Sequence, residues 1–131
     1  MAIYLLDTSI VIDALNRRRD RWQLLKALVE SGETLACSAM TVMEIYVGLR
    51  PHESVMTQSF LDGLEHYPVD RELGRYAGSL KNEWAKQGRK LSVPDVIIAA
   101  TALAHRLVLM TDNRKDFPMP QLAMFPLPES L

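Results

Sequence analysis

The sequence predicts an α/β protein whose central parallel, twisted sheet of about four to five strands is flanked by helices. Short apolar, β-prone runs at residues 3–6, 34–38 and 107–110 alternate with longer segments whose apolar residues recur at helical spacing. A short extended piece is predicted at residues 67–69. Parallel strands need a crossover connection that a helix usually supplies, so this alternation indicates right-handed crossovers with helices on both faces of the sheet.

The helical segments follow from the spacing of their apolar residues. They are predicted over 10–15, 22–29, 42–49, 56–64, 73–84 and 95–105. Gly32 and Gly88 end the second and the fifth of them, and Pro94 suits the first turn of the last. Because 131 residues is the commonest size for one domain, a single domain over residues 1–131 is expected.

Composition limits the classes of function. A formal net charge of −1 gives no overall attraction to nucleic acid, so nucleic-acid chemistry would have to rest on local charge or on bound metal. The single cysteine, Cys37, cannot form an internal disulfide. No secretory leader and no apolar run of membrane-spanning length is apparent, so a cytoplasmic location without a membrane partner is expected.

Acidic residues follow the predicted strands. Asp7 comes directly after the first strand, at the edge where ligands bind in open α/β sheets. It also suits the N-cap of the helix that begins near Thr8 or Ser9. Glu44 lies in the first turns of the helix after the second strand; residues 41–44 fit a capping box, but an acid among apolar neighbours usually has a partner or a metal. The local sequence leaves both interpretations open for each acid.

Two further acidic segments lie nearer the end of the chain. Asp95 follows Pro94 at the front of an almost wholly apolar helix, where the helix dipole alone favours a negative charge. Residues 111–117 follow the last long strand and contain Asp112 and Asp116, which turns also use routinely. All these acids can meet at one sheet edge. Because crowded carboxylates repel, such a pocket is favourable chiefly around a divalent cation, and oxygen ligands select Mg²⁺ or Mn²⁺.

Four blocks of sequence, in this order and spacing, resemble the PIN-domain nucleases and specifically the VapC-type toxins of bacterial toxin–antitoxin pairs. The blocks are LLDTS at 5–9 with Asp13 beyond it, SAMTVMEIYVGL at 38–49, VPDVIIAATA at 93–102 and TDNRKDF at 111–117. Each block alone is a weak signature, whereas the four together cover nearly the whole chain. The resemblance implies a PIN-like fold.

The resemblance also implies roles for individual residues. Asp7, Glu44 and Asp95 match the family's three metal-binding acids. In the closing block, Asn113 and Asp116 occupy the family's site positions, with Asp112 as a substitute for the fourth acid, and Asp116 is the preferred choice. Thr8 and Thr41 match hydroxyls that hydrogen-bond the carboxylates from behind. The sequence therefore gives Asp7, Glu44, Asp95 and Asp116 as metal-binding and catalytic residues, supported by Thr8, Thr41 and Asn113.

The activity implied is hydrolysis of RNA phosphodiesters by a water that Mg²⁺ or Mn²⁺ activates, leaving a 5′-phosphate on the downstream fragment. The implied partners are the RNA substrate, a cognate antitoxin that lays a helix into a groove, and a second copy of the chain in a homodimer. Two basic groups are candidates for RNA contacts, although such runs are more often solvated. The first group is Arg17, Arg18, Arg19 and Arg21, and the second is Lys81, Lys86, Arg89 and Lys90.

Other functions stay open at this level. A PIN nuclease of RNA maturation or turnover would need no antitoxin, and an adjacent antitoxin gene would distinguish it. A catalytically silent PIN-like binding module is disfavoured by the intact Asp7, Glu44 and Asp95. A receiver-like phosphotransfer domain also gathers acids at strand ends, but it would need a lysine near the end of the chain, and Lys115 is a poor match.

Overall fold

A computed structural model describes residues 2–128 and contains five strands and six α-helices within that range. The strands are β1 (Ile3–Leu6), β2 (Thr34–Ser38), β3 (Glu65–Tyr67), β4 (Val108–Met110) and β5 (Ala123–Met124). The helices are α1 (Thr8–Leu15), α2 (Arg21–Glu30), α3 (Ala39–Val47), α4 (Ser54–Asp62), α5 (Arg71–Lys86) and α6 (Val93–His105). Short 3-10 turns occupy Pro51–Glu53 and Arg114–Asp116.

The sheet is parallel throughout, in the order β3-β2-β1-β4-β5, which confirms the predicted fold class. β2 and β3 lie on one side of β1 in the sheet, and β4 and β5 lie on its other side. Leu6 at the end of β1 pairs with Met110 at the end of β4. The strand order therefore reverses between β1 and β4, and open α/β sheets bind ligands in the crevice at such a point.

Alternation along the central strands fills two cores. Leu5 and Leu109 are fully buried in the core that contains residues of α5 and α6. Leu6 and Met110, their neighbours in sequence, are buried in the opposite core with residues of α1, α2 and α4. Because successive strand residues point to opposite faces, one apolar run serves both layers, and the sheet is covered on both sides as predicted.

Three local features differ from the sequence-based expectations. β3 lies two residues earlier than the predicted piece at 67–69. β5 was not predicted, since two residues are too few for a periodic pattern. Of the two interpretations left open for Glu44, the capping box at 41–44 is wrong, because α3 begins at Ala39 and the hydroxyl of Ser38 caps it by accepting from the Met40 amide. Glu44 therefore lies in the body of the helix and does not cap it.

Within residues 2–128, no helix is both long enough and apolar enough to cross a membrane.

Candidate active site

Asp7 stands where β1 passes into α1, and it is only 5% exposed. Its Oδ1 atom accepts a hydrogen bond from the Thr8 amide at 2.8 Å, and its Oδ2 atom accepts one from the Thr111 hydroxyl at 2.7 Å. Its own backbone N–H donates to the Met110 carbonyl at 2.9 Å, continuing the pairing of β1 with β4. Asp7 is thus both the N-cap of α1 and a carboxylate at the crevice edge, so the two interpretations are compatible.

The environment of Asp7 disfavours its charge. Burial raises its pKa most strongly, and the nearby carboxylates of Asp95 and Glu44 raise it further. The hydrogen bonds from Thr111 and Thr8 act in the opposite direction because they stabilise the ionised form. The pKa of Asp7 remains above its ordinary value, so this carboxylate is held where a positive charge would be favourable.

Glu44 reaches the same region from α3. Its Oε1 atom accepts a hydrogen bond from the Thr8 hydroxyl at 2.7 Å. The hydroxyl oxygens of Thr8 and Thr41 lie 3.0 Å apart. Since Thr8 has one hydroxyl hydrogen and uses it on Glu44, the Thr41 hydroxyl donates to Thr8. Thr8 therefore contacts two acids, Asp7 through its amide and Glu44 through its side chain, while buried Thr41 supports Thr8 from behind.

Asp95 comes from the first turn of α6. The Ser92 hydroxyl accepts from the Asp95 amide at 3.2 Å and so caps the helix. Partial burial raises the pKa of Asp95 most, and the carboxylates of Asp116 and Glu44 raise it further, against a lowering hydrogen bond to Ser92. Asp95 thus feels the charges of Glu44 and Asp116, and Asp7 feels those of Asp95 and Glu44, which links the four acids into one electrostatic group.

Asp116 ends the 3-10 turn Arg114–Asp116. Two hydrogen bonds hold the turn: the backbone N–H of Asn113, which precedes it, donates to the Thr111 hydroxyl at 2.9 Å, and the Arg89 guanidinium donates to the carbonyl of its middle residue, Lys115. Asn113 contributes its backbone to this arrangement, while the residue itself is exposed. The turn therefore places the Asp116 carboxylate within electrostatic range of Asp95.

Asp112 is bound elsewhere. Its Oδ1 atom accepts from Nη2 of Arg21 at 2.7 Å, and its Oδ2 atom accepts from Nε of Arg21 at 3.4 Å. Nη1 of Arg19 lies 3.1 Å from the same Oδ2 atom. Arg21 is 2% exposed, so the expectation that it belongs to a solvated or RNA-contacting run is wrong. An arginine guanidinium and a carboxylate form a specific, bidentate pair. The Asp112 carboxylate is therefore bound to Arg21 and Arg19 and not to the other acids.

The remaining basic candidates have distinct surroundings. The Arg17 guanidinium lies 3.9 Å above the Trp22 ring, and Arg19 bonds Asp112 with 40% of its side chain exposed. Arg18 and Lys90 are exposed, and Arg89 holds the turn that carries Asp116. Part of the predicted basic surface is therefore fixed against the protein itself.

Thr111 is a site residue that sequence reasoning missed. It is 2% exposed, donates to Asp7 and accepts from Asn113. A usable signal was its position, since it follows β4 as Asp7 follows β1, and the ends of neighbouring parallel strands meet. The register of β1 against β4 was needed to recognise the pair.

The donor set is suited by its chemistry to a hard divalent cation. Its oxygen atoms come from four carboxylates whose negative charges repel one another, and a bound cation would offset that repulsion. Within residues 2–128, no three acidic, histidine or cysteine side chains already form a closed ligand group. Mg²⁺ is commonly bound through one or two carboxylates with several waters, so it does not require a closed protein cage.

Comparison with known proteins agrees with this architecture. Residues 4–119 match the PIN domain family. Ribonuclease VapC19 of Mycobacterium tuberculosis is 30% identical over 115 residues, which cover 88% of this chain and 92% of that protein. The chain therefore belongs to the PIN-domain family and stands among its VapC ribonucleases.

Two solved structures have the same fold. VapBC2 from Rickettsia felis, bound to a DNA fragment from its promoter, superposes with a TM-score of 0.82 at 26% identity, covering 94% of this chain and 97% of the other. A toxin–antitoxin complex from Klebsiella pneumoniae superposes with a TM-score of 0.77 at 32% identity, covering 94% and 96%. Both comparisons extend over nearly the full length of each chain.

Proposed function

We propose that this protein is a Mg²⁺- or Mn²⁺-dependent endoribonuclease and the toxin of a toxin–antitoxin pair. The observation that carries the proposal is the electrostatic group formed by Asp7, Glu44, Asp95 and Asp116 at the crevice between β1 and β4. The ribonucleases to which the chain is related support the reaction class.

The four carboxylates are the residues that would hold the cation. When bound, a divalent cation supplies an activated water and stabilises negative charge on the phosphate. The chain's own hydroxyls prepare the site: Thr111 and the Thr8 amide favour the ionised form of Asp7 against its burial. The Thr8 hydroxyl fixes the orientation of Glu44. These hydrogen bonds hold two acids in place before any ligand arrives.

RNA must approach an acidic site, so basic residues nearby are needed to attract its phosphates. Arg89 and Lys90 precede α6, and Arg89 touches the turn that carries Asp116. Arg17, Arg18 and Arg19 form a second basic group beside Asp112. We assign both groups to the RNA backbone, with exposed Arg18 and Lys90 making the contacts that are freest to adapt.

An apolar groove between α2 and α4 is the proposed antitoxin site. Its volume is about 260 Å³. Its lining is mostly apolar and comprises Trp22, Leu25, Val29, Leu35, Phe60 and Leu64, with Lys26 and Glu30 alongside. An amphipathic helix suits such a groove, because it buries one apolar face and leaves charges at the rim. The solved relative from Klebsiella pneumoniae is a toxin–antitoxin complex, which supports a protein partner of this kind.

A second copy of the chain is the remaining proposed partner. Met43, Tyr46 and Val47 of α3 are 50%, 45% and 78% exposed, and they form an apolar outer surface on that helix. Exposed apolar patches often mark protein interfaces. Sedimentation of the purified chain tests the homodimer directly.

The ribonuclease proposal is tested by incubating purified protein with total RNA, with and without Mg²⁺ or Mn²⁺, and mapping the cut ends. We expect discrete cleavage that requires the metal and leaves 5′-phosphates, and the Asp95→Asn variant purified in parallel controls for contaminating nucleases. Cleavage of equal rate by that variant would contradict the assignment.

A further inference from the structure

Arg21 forms a buried ion pair that the proposed chemistry does not use. It is the first residue of α2 and is 2% exposed. Its Nη2 and Nε atoms bind the two carboxylate oxygens of Asp112, and its Nη1 atom donates to the Arg19 carbonyl at 3.1 Å. The planar guanidinium therefore joins the start of α2 to the loop after β4, 91 residues away in sequence.

The turn that delivers Arg21 has an uncommon backbone. The φ angles of Arg17, Arg19 and Asp20 are 55°, 57° and 58°. They lie in the left-handed region, which residues other than glycine rarely adopt. Such residues persist only where surrounding contacts hold them, and they concentrate at functional sites. Here such contacts include the Arg21 bond to the Arg19 carbonyl, the Arg19 pair with Asp112 and the packing of the Arg17 guanidinium over the Trp22 ring.

Asp112 lies between Thr111, which contacts the acidic group, and Asn113, which holds the Thr111 hydroxyl. Thr111 precedes it and donates to Asp7, and Asn113 follows it and donates to the Thr111 hydroxyl. The same loop continues into the turn that carries Asp116. A side chain that fixes Asp112 therefore fixes the backbone on both sides of it. It thereby fixes Thr111, which donates to Asp7, and the turn that carries Asp116.

We propose that Arg21 is a positioning residue of the active site. By holding Asp112 it keeps the loop 111–116 in the conformation in which Thr111 orients Asp7 and the turn presents Asp116. It also keeps the Asp112 carboxylate away from the cation. The proposal rests on the proposed metal-dependent function, but it concerns the order of the loop as well as the binding of the metal.

The test compares Arg21→Met with Asp112→Asn in the full chain, with Mn²⁺ affinity measured by calorimetry. If only charge mattered, the two changes would act in opposite directions: losing a cation would tighten Mn²⁺ binding, and losing an anion would weaken it. Positioning predicts that each variant weakens Mn²⁺ binding about tenfold, and that the double variant is no worse than either single one. Arg75→Met is the matched control, since Arg75 pairs with Glu72 on the exposed surface of α5.

A second measurement needs no metal. Amide hydrogen exchange at Asn113 should be about tenfold faster in Arg21→Met and Asp112→Asn than in wild type, because the loop opens locally. Unchanged exchange at Asn113, or opposite effects of the two variants on Mn²⁺ affinity, would overturn the proposal. If Arg21→Met does not fold by near-ultraviolet circular dichroism, Arg21→Lys keeps the charge, loses the fork and undergoes the same two measurements with the same expected changes.

Kinetics separate this role from a direct RNA contact. A positioning residue lowers kcat at fixed metal and leaves KM for RNA and its salt dependence unchanged. A higher KM with a weaker salt dependence and unchanged Mn²⁺ affinity would assign Arg21 to the RNA and overturn the proposal. If wild type cleaved no RNA, the ribonuclease function would fail, while the calorimetric and exchange comparisons would still decide the role of Arg21.

Discussion

The hydroxyl of Thr111 donates a hydrogen bond to Oδ2 of Asp7 across 2.7 Å, although the two residues are 104 positions apart. This bond lies in the crevice where the ends of β1 and β4 meet, and it opposes the rise in the pKa of Asp7 that burial causes. The site thus couples the acid of one strand to the hydroxyl of its neighbour. Loss of this hydrogen bond should affect both the ionisation of Asp7 and the orientation of its carboxylate.

Replacing Thr111 with valine tests that coupling. Valine keeps the volume and removes the donor, so we expect about a 10- to 100-fold loss in metal affinity and cleavage. The pKa of Asp7 should rise further, because a hydrogen bond that lowers it is lost. Thr111→Ser keeps the hydroxyl and should retain most of the activity in the same titration and time course. Equal losses in both variants would indicate a packing effect.

Asp7→Asn should fold and lose metal-dependent cleavage. Asparagine is nearly isosteric and is a good N-cap, so α1 keeps its start, but the charge that attracts the cation is gone. Removing one of several repelling carboxylates should leave the metal-free variant melting at or above wild type. Thermal melts with and without Mg²⁺ provide the measurement. A large drop in the metal-free melting temperature would mean that Asp7 serves chiefly to cap the helix.

The raised pKa values of Asp7 and Asp95 make the stability of the metal-free protein depend on pH. The folded state binds these protons more tightly than the unfolded state, in which the pKa is near its ordinary value of 3.8. Proton binding by these two carboxylates therefore contributes fully to the free energy of unfolding below pH 3.8. That contribution is lost as pH rises through their pKa values in the folded state. Wild-type stability relative to Asp7→Asn should fall over the range from about pH 4 upward.

Urea unfolding of both proteins across that range measures this difference. Saturating Mg²⁺ should remove most of it for wild type, because the cation stabilises the ionised form. A difference that grows more favourable to wild type as pH rises would contradict the direction derived from burial.

Asp116 and Asp112 should separate metal binding from stability. Asp116→Ala should weaken Mg²⁺ binding and cleavage by up to about 100-fold, more than Asp112→Ala, and Asn113→Ala should change them least, because Asn113 is exposed and its backbone N–H makes the bond to Thr111. Asp112→Ala should weaken metal binding only about tenfold, through the loop, and should in addition cost about 3 kcal/mol of folding free energy, because buried Arg21 loses its carboxylate partner. Calorimetric titration and urea unfolding of the three variants give both quantities. The assignment of Asp116 would fall if Asp112→Ala proved the most damaging to metal binding.

Expression of the chain alone should arrest bacterial growth, and Glu44→Gln or Asp95→Asn should relieve the arrest. Growth should also recover when a small antitoxin encoded beside this chain is expressed with it. Val29→Glu places a charge in the apolar groove at a residue that is 55% exposed, so the variant should fold, cleave RNA and escape the antitoxin.

Val55→Glu on α4 is the matched control for that change, since Val55 is 82% exposed and does not line the groove. It should remain inhibited by the antitoxin. Growth curves and copurification of tagged pairs provide the measurement. Inhibition of Val29→Glu as complete as that of wild type would place the partner elsewhere.

The sequence alone determined the parallel α/β fold and the positions of Asp7, Glu44 and Asp95 near one sheet edge. Periodicity and strand ends are local properties, and parallel strands bring their carboxyl ends together whatever their separation along the chain. Only the tertiary structure decided which acid of the closing loop joins the others, because that depends on Arg21, which binds Asp112 from a distant turn. It also decided that Thr111 faces Asp7, since a hydroxyl and a carboxylate become neighbours only through the register of β1 against β4, which no local pattern encodes.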